Sequence, residues 1–299
     1  MRRCLQLASN GWHNARPNPM VGAVIVSADG CIIGEGYHVR CGEGHAEVNA
    51  FRSVRAEDES LLSGATIYVS LEPCAHYGKT PPCAELIIRK GLRRCVVGCV
   101  DPFAKVKGKG IQMLRDAGIE VVVGVLEEEC IRLNRFFMTR HATGRPYILL
   151  KWAQTADGFM DNGGEACAIS SPYTKMLVHK LRAEYDAIAV GSVTELRESP
   201  QLTVREWYGR NPHKVVLHRD YDLSQLPQDV QSLMIEGGAR TLQHFIDHGL
   251  WDEMRIECGD FGVGAGTKAP VIPDSALLTG REMIDNRVIL HLIHDDRAS

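Results

Sequence analysis

Long apolar runs are missing from this chain of 299 residues: no stretch approaches the ~20 consecutive apolar residues that a membrane-spanning helix needs. Excess positive charge is missing as well. Thirty-four Lys and Arg against 37 Asp and Glu give a formal net charge of −3, which leaves no basic footprint for a nucleic-acid polymer. The start, Met1-Arg2-Arg3-Cys4-Leu5-Gln6-Leu7-Ala8, reads as a helix and no apolar export segment follows it, so the expected compartment is a reducing cytoplasm. No Gly-x-Gly-x-x-Gly follows any strand-like run, which argues against a Rossmann dinucleotide fold. No internal repeat or low-complexity tract occurs. Cysteine is not scarce, at ten residues, but a disulfide framework is absent. Most cysteines stand singly in apolar runs such as Cys95-Val96-Val97-Gly98-Cys99. Cys4, Cys31, Cys41, Cys95, Cys99, Cys130, Cys167 and Cys258 therefore read as small buried hydrophobes.

What is present is the composition of a globular protein, with 44% hydrophobic and 24% charged residues, on a chain too long for one compact core. Up to Val125, β-rich apolar runs alternate with helical periodicity. Strands are expected at 21–26, 65–71, 94–100 and 119–126, and helices at 46–55, 81–90, 108–117 and 127–141. Strand–helix alternation with continuously apolar strands argues for an α/β three-layer sandwich. Ala142-Thr143-Gly144-Arg145-Pro146 reads as a linker, which divides the chain into domains 1–144 and 145–299. The second is also α/β, with strands expected at 147–152, 186–191, 214–218, 232–236, 254–258 and 287–293 and helices at 172–184 and 239–248.

The chemistry concentrates in the first domain. His45-Ala46-Glu47 opens a helical stretch, Glu72-Pro73-Cys74 follows, and Pro81-Pro82-Cys83 completes the set. One imidazole and two thiolates hold zinc while leaving a fourth position open, the arrangement of a catalytic site. A closed structural site would need a fourth ligand, and His76 is the one nearby candidate. Glu47 stands two residues after the histidine, within proton-shuttling reach but not needed for coordination. The same division of roles characterises zinc nucleobase deaminases, in which hydrolysis removes an exocyclic amine. Eight residues separate Cys74 from Cys83, where many such enzymes have two.

The stretch from Glu72 to Cys83 closely resembles the motif of the bifunctional riboflavin-biosynthesis deaminase/reductases. Pro17-Asn18-Pro19-Met20-Val21-Gly22-Ala23-Val24, Gly44-His45-Ala46-Glu47-Val48, Asp101-Pro102 and Gly108-Lys109-Gly110 extend the likeness over the whole first domain. The resemblance implies a cytidine-deaminase-like fold, with Asn18, His76, Lys79 and Asp101 contacting a phosphoribosylated diaminopyrimidine. Lys79 and His76 suit its phosphate as cationic donors. Phe103-Ala104 departs from the Asn-Pro common in that family after Asp-Pro, so one polar substrate contact is expected to be missing or replaced.

The second domain resembles the reductase half of the same family through Leu150–Gly158, Ile169-Ser170-Ser171-Pro172, Leu181-Arg182-Ala183, Pro200–Arg205 and Ile235-Glu236-Gly237-Gly238. The resemblance implies a dihydrofolate-reductase-like fold using NADPH. Ala153, Thr194, Glu198 and Gly238 would line the cofactor, and Arg182, Leu202, Arg205 and Glu236 would face the substrate. It also implies a homo-oligomer formed through this domain. Only twelve residues separate Arg219 from Ser232, where the family has several tens. The shortened connection should lack a strand–helix piece of the cofactor half, leaving an exposed sheet edge or an incomplete dinucleotide pocket. The expected function is deamination followed by NADPH-dependent reduction of the ribosyl group. The alternative is a monofunctional deaminase with a degenerate, dimerising second domain.

Overall fold

A computed structural model describes residues 1–77, 81–103, 107–219 and 221–295. The chain forms two compact units, Met1–Gly144 and Arg145–Ser299.

Unit 1 begins with α1 (Arg2–Ser9) and continues through β1 (Gly22–Val26), β2 (Ile32–Tyr37), α2 (Ala46–Arg52), β3 (Thr66–Leu71), α3 (Cys83–Arg89), β4 (Arg94–Cys99), α4 (Lys109–Asp116), β5 (Glu120–Val123), α5 (Glu127–Leu133) and α6 (Arg135–Thr143). Its sheet has the order β2-β1-β3-β4-β5, with β3, β4 and β5 parallel and β1 antiparallel to both neighbours. Ala46, Ala50 and Phe51 of α2, Ala84 and Ile87 of α3, and Ile111 and Leu114 of α4 pack on one face. Cys4 and Leu7 of α1 and Cys130 of α5 cover the other. Both faces of β3 and β4 are covered, which is why these strands are almost uninterrupted apolar runs.

Strand β2 was not expected, because Ile32-Ile33-Gly34-Glu35-Gly36-Tyr37 carries two glycines, which weaken a strand signal. Their purpose is tertiary. A Cβ on Gly36 would run into the backbone of Ala46 and Ala50, and one on Gly34 would meet the Ala50 carbonyl at 2.6 Å. The glycines thus let α2, which follows His45, lie directly on the sheet. The helix expected over 127–141 is two helices, α5 and α6. Between them the buried Asn134 turns its amide to the main chain of Met20, accepting from its N–H and donating to its carbonyl, both at 2.8 Å. Of the cysteines read as buried, Cys31 and Cys41 are exposed, because each lies in a turn outside the strands.

Unit 2 comprises β6 (Tyr147–Gln154), α7 (Pro172–Glu184), β7 (Ala187–Gly191), α8 (Ser192–Glu198), β8 (His213–Leu217), β9 (Ser232–Ile235), α9 (Ala239–Asp247), β10 (Glu253–Cys258), β11 (Ala276–Ile284) and β12 (Arg287–His294). The seven-stranded sheet runs β11-β12-β10-β6-β9-β7-β8, parallel from β10 to β8, with β12 antiparallel to β10 and β11. Leu242, Phe245 and Ile246 of α9 bury Trp152, Leu150 and Met254 on one face. On the other face α7 is stapled at its start, where Thr174 and Ser170 donate to the fully buried Glu257 at 2.6 and 2.9 Å. Strand β8 forms one edge of the sheet. Strand β11 forms the opposite edge; it had escaped the sequence reading, since Leu277, Leu278 and Met283 face solvent and break the alternation.

Candidate active site

Three chain segments bring together the residues of unit 1 expected to hold zinc. His45 is the N-cap of α2, Cys83 is the first residue of α3, and Cys74 lies in the loop after β3. His45 Nδ1 is 3.5 Å from Cys74 Sγ and 3.3 Å from Cys83 Sγ. All three ligand atoms lie within 4.8 Å of one another. Tetrahedral bonds of about 2.3 Å to sulfur and about 2.0 Å to nitrogen require ligand atoms roughly 3.5–3.8 Å apart, so the donor set fits a zinc ion.

Burial and mutual contact shift the titration of all three groups. The two thiols contact each other, and Cys74 is the one that gives up its proton more readily. Cys74 is brought down to about 4 by the Cys83 thiol, with the His45 imidazole and the Cys83 backbone N–H (3.3 Å) adding to the effect. That N–H belongs to the free first turn of α3. The bond to Cys74 raises His45 to about 9, against its burial. Cys83 is pushed well above its ordinary value, first by its bond to Cys74 and then by burial. Zinc takes a neutral imidazole and two thiolates, so its binding to this set would displace the protons that His45 and Cys83 hold in its absence.

Glu47, in the first turn of α2, is 3% exposed. Desolvation and the Cys74 thiolate raise its pKa, so its carboxyl holds a proton more readily than a surface glutamate does. Asp101, after β4, is raised to about 6, chiefly by burial. Asn18 Nδ2 donates to His38 Nε2 at 3.1 Å, while His38 Nδ1 donates to the Gly44 carbonyl at 3.2 Å. Burial lowers the His38 pKa, consistent with this neutral tautomer. Its ring meets His45 edge-on at 5.5 Å. The sequence reading missed His38, a single histidine outside any motif. His76 is exposed near Asp101, and Lys79 lies outside the described residues. Phe103 packs its ring against His141 of α6 with centroids 5.1 Å apart.

In unit 2 the residues assigned to substrate gather at the α7 face of the sheet. Glu236, just past β9, pairs with Arg182 of α7 at 2.6 Å and with Lys151 of β6 at 3.2 Å. Burial pushes the Glu236 carboxyl up, but the two cations outweigh it and hold it below the usual range. The Thr203 carbonyl accepts from His179 at 2.8 Å and from Arg182 at 3.3 Å, which anchors the segment carrying Leu202 and Arg205. Leu202 is buried at φ +53°, a left-handed conformation that only such anchoring would hold in place. Lys151 and His179 were not singled out from sequence, because each acquires a partner only through the fold.

The residues assigned to the cofactor divide. Gly191 and Gly238 are the N-caps of α8 and α9, and a Cβ on Gly238 would lie 3.3 Å from Thr194 Oγ1. Two helix starts with free N–H groups thus meet at Thr194 and Gly238, a cradle suited to a pyrophosphate. Glu198 ends α8, one turn beyond Thr194, and Ala153 lies on β6.

Fold and donor set define a unit with a deaminase-type zinc site followed by a second α/β unit. Residues 1–99 match the cytidine and deoxycytidylate deaminase zinc-binding region, and residues 146–228 match the RibD C-terminal domain. The riboflavin biosynthesis protein RibD of Aquifex aeolicus is 36% identical over 86% of this chain and 85% of its own length. That of Actinobacillus pleuropneumoniae is 44% identical over 72% of this chain but only 56% of its own length, so this chain spans little more than half of that relative. The crystal structure of a diaminohydroxyphosphoribosylaminopyrimidine deaminase/5-amino-6-(5-phosphoribosylamino)uracil reductase from Thermotoga maritima superposes with a TM-score of 0.86 at 33% identity, covering 98% of this chain and 97% of that one. The chain belongs to the RibD family of riboflavin-biosynthesis deaminase/reductases. Both units share in the likeness, which disfavours a degenerate second domain. No helix among the described residues is long and apolar enough to cross a membrane.

Proposed function

We propose that unit 1 removes an exocyclic amine from a phosphoribosylated diaminopyrimidine by hydrolysis, and that unit 2 then reduces the ribosyl group with NADPH. The observation that carries this reading is the convergence of His45, Cys74 and Cys83 beside the buried Glu47. Zinc, when bound by these three ligands, supplies a Lewis acid that makes water nucleophilic near neutral pH. Glu47 takes the proton from the attacking water and returns protons to the departing amine. Its burial and raised pKa suit both roles. Asn18, fixed by neutral His38, and Asp101 orient the ring, and His76 and Lys79 meet the phosphate.

In unit 2, Arg182 and Arg205 bind the ribose phosphate as forked donors, with Leu202 and Glu236 completing the substrate wall. Thr194, Gly238, Glu198 and Ala153 hold NADPH, which supplies the hydride. Copies of the chain associate through unit 2, where edge strand β11 exposes Leu277, Leu278 and Met283, at 53%, 54% and 73% of their surface. The deciding experiment supplies the zinc-loaded protein with the diaminopyrimidine nucleotide, with and without NADPH, and identifies the products by mass. Loss of an amine for oxygen without NADPH, then gain of two hydrogens with it, is expected. An unchanged nucleotide would sink the reading.

A further inference from the structure

Glu72 is a carboxylate only 4% exposed, at the end of β3 and two residues before Cys74. Among the described residues it forms no ion pair. Burying an unpaired carboxylate costs several kcal/mol unless hydrogen bonds replace the lost water. Here four main-chain N–H groups do so, from a segment about thirty to forty positions further along the chain. Oε2 accepts from Asp101 at 3.3 Å and Gly108 at 2.9 Å, and Oε1 accepts from Gly110 at 2.9 Å and Ile111 at 3.4 Å.

Three of these donors are the free N–H groups at the start of α4, where a carboxylate is also favoured by the helix dipole. A helix ordinarily satisfies them with a side chain of its own N-cap, but the N-cap of α4 is Gly108, held at φ +77°, which has none. The cap is therefore borrowed from the strand that leads to a metal ligand. The approach is close: a Cβ on Gly110 would overlap the Pro73 carbonyl. The fourth donor belongs to Asp101 itself, whose carboxylate also accepts from the Phe103 N–H at 2.8 Å. One carboxylate thus ties together the segment holding Cys74, the loop holding Asp101, and the helix behind both.

We propose that Glu72 is a positioning residue: its carboxylate locks the Cys74 segment to the Asp101 loop and so sets where Asp101 meets the substrate relative to the metal. The inference rests on the deaminase reading above and deepens it. A cap serving only the stability of α4 would affect folding without regard to Asp101, whereas a positioning residue acts through Asp101.

A double-mutant cycle separates the two, using zinc-loaded full-length protein. Glu72→Gln keeps the shape but turns an NH2 group towards donors, so one pair of N–H groups loses its acceptor. On the scale of one charged hydrogen bond, KM for the diaminopyrimidine nucleotide should rise ~10-fold, with kcat within ~3-fold and one zinc retained per chain by elemental analysis. In an Asp101→Asn background the same change should alter KM less than ~2-fold, because the group it positions is already gone. Equal KM effects in both backgrounds, zinc loss in Glu72→Gln, or an unchanged KM in Asp101→Asn would each overturn the proposal. Should Glu72→Gln not fold, Glu72→Asp, which keeps the charge but retracts it by one methylene, goes through the same cycle with the same criteria. Wild-type protein that releases no ammonia defeats the underlying reading; intact turnover with additive effects defeats only the positioning role.

Discussion

Cys83 is 1% exposed, is the proposed third zinc ligand, and starts α3 with its own N–H donating to Cys74 Sγ at 3.3 Å. Cys83→Ala should therefore abolish stoichiometric zinc by elemental analysis while leaving α3 intact by circular dichroism; full retention of metal would refute the ligand set. Glu47→Gln is nearly isosteric but cannot relay protons. It should keep its zinc and lose at least ~10²-fold in deamination, the lower bound for general acid–base catalysis. A variant near wild-type rate would mean that another group moves the proton. Asp101 gives a pH prediction. Its folded pKa of about 6 lies above the ordinary carboxylate value, so the folded chain holds this proton more tightly than the unfolded chain. The stability it contributes is complete below about pH 4 and is lost as pH rises through 6. Asp101→Asn should remove that dependence: the unfolding free energy of the variant relative to wild type should rise between pH 4 and pH 7 in urea titrations. A flat difference would show that Asp101 titrates as an exposed carboxylate does.

Single elements were legible to different degrees, for reasons that particular residues illustrate. Helix α7 announces itself by Ser171 before Pro172, with the Ser171 hydroxyl accepting from Thr174 N–H at 3.1 Å, and its expected span matches the structure. Strand β2 could not be read, because Gly34 and Gly36 serve the helix above them rather than the strand. That gives an element-scale prediction. Gly36→Ala places a methyl group against the backbone of α2, so the helix must lift and take His45 and Glu47 with it. Overpacking of this kind costs about 1–3 kcal/mol, and zinc affinity should fall together with the melting temperature. Unchanged affinity in a destabilised variant would show that α2 shifts without carrying the site.

At the scale of the whole molecule, β8 is a sheet edge, and Thr194 meets Gly238. A ligand that binds only the folded state stabilises it by RT ln(1 + [L]/Kd), about 2.7 kcal/mol at a hundredfold excess over Kd. NADPH at that excess should raise the melting temperature of unit 2 by several degrees, and the Gly238→Val variant should lose the shift, since the added side chain would press on Thr194. No shift with wild-type protein alongside intact deamination would restore the monofunctional alternative.

The candidate donor set of His45, Cys74 and Cys83, the nearby Glu47 and the parallel strands of both units were legible in the sequence alone. Zinc binding needs particular ligand types near helix starts, and strands buried on both faces must be apolar throughout, so both leave local patterns. Tertiary structure alone decided which polar groups support them. The His38–Asn18 bond, the clasp of Lys151 and Arg182 on Glu236, and the four N–H groups around Glu72 each join residues about twenty or more positions apart. A buried carboxylate or imidazole has no sequence period of its own. Its partner is set by where the chain returns in space, and only the fold supplies that.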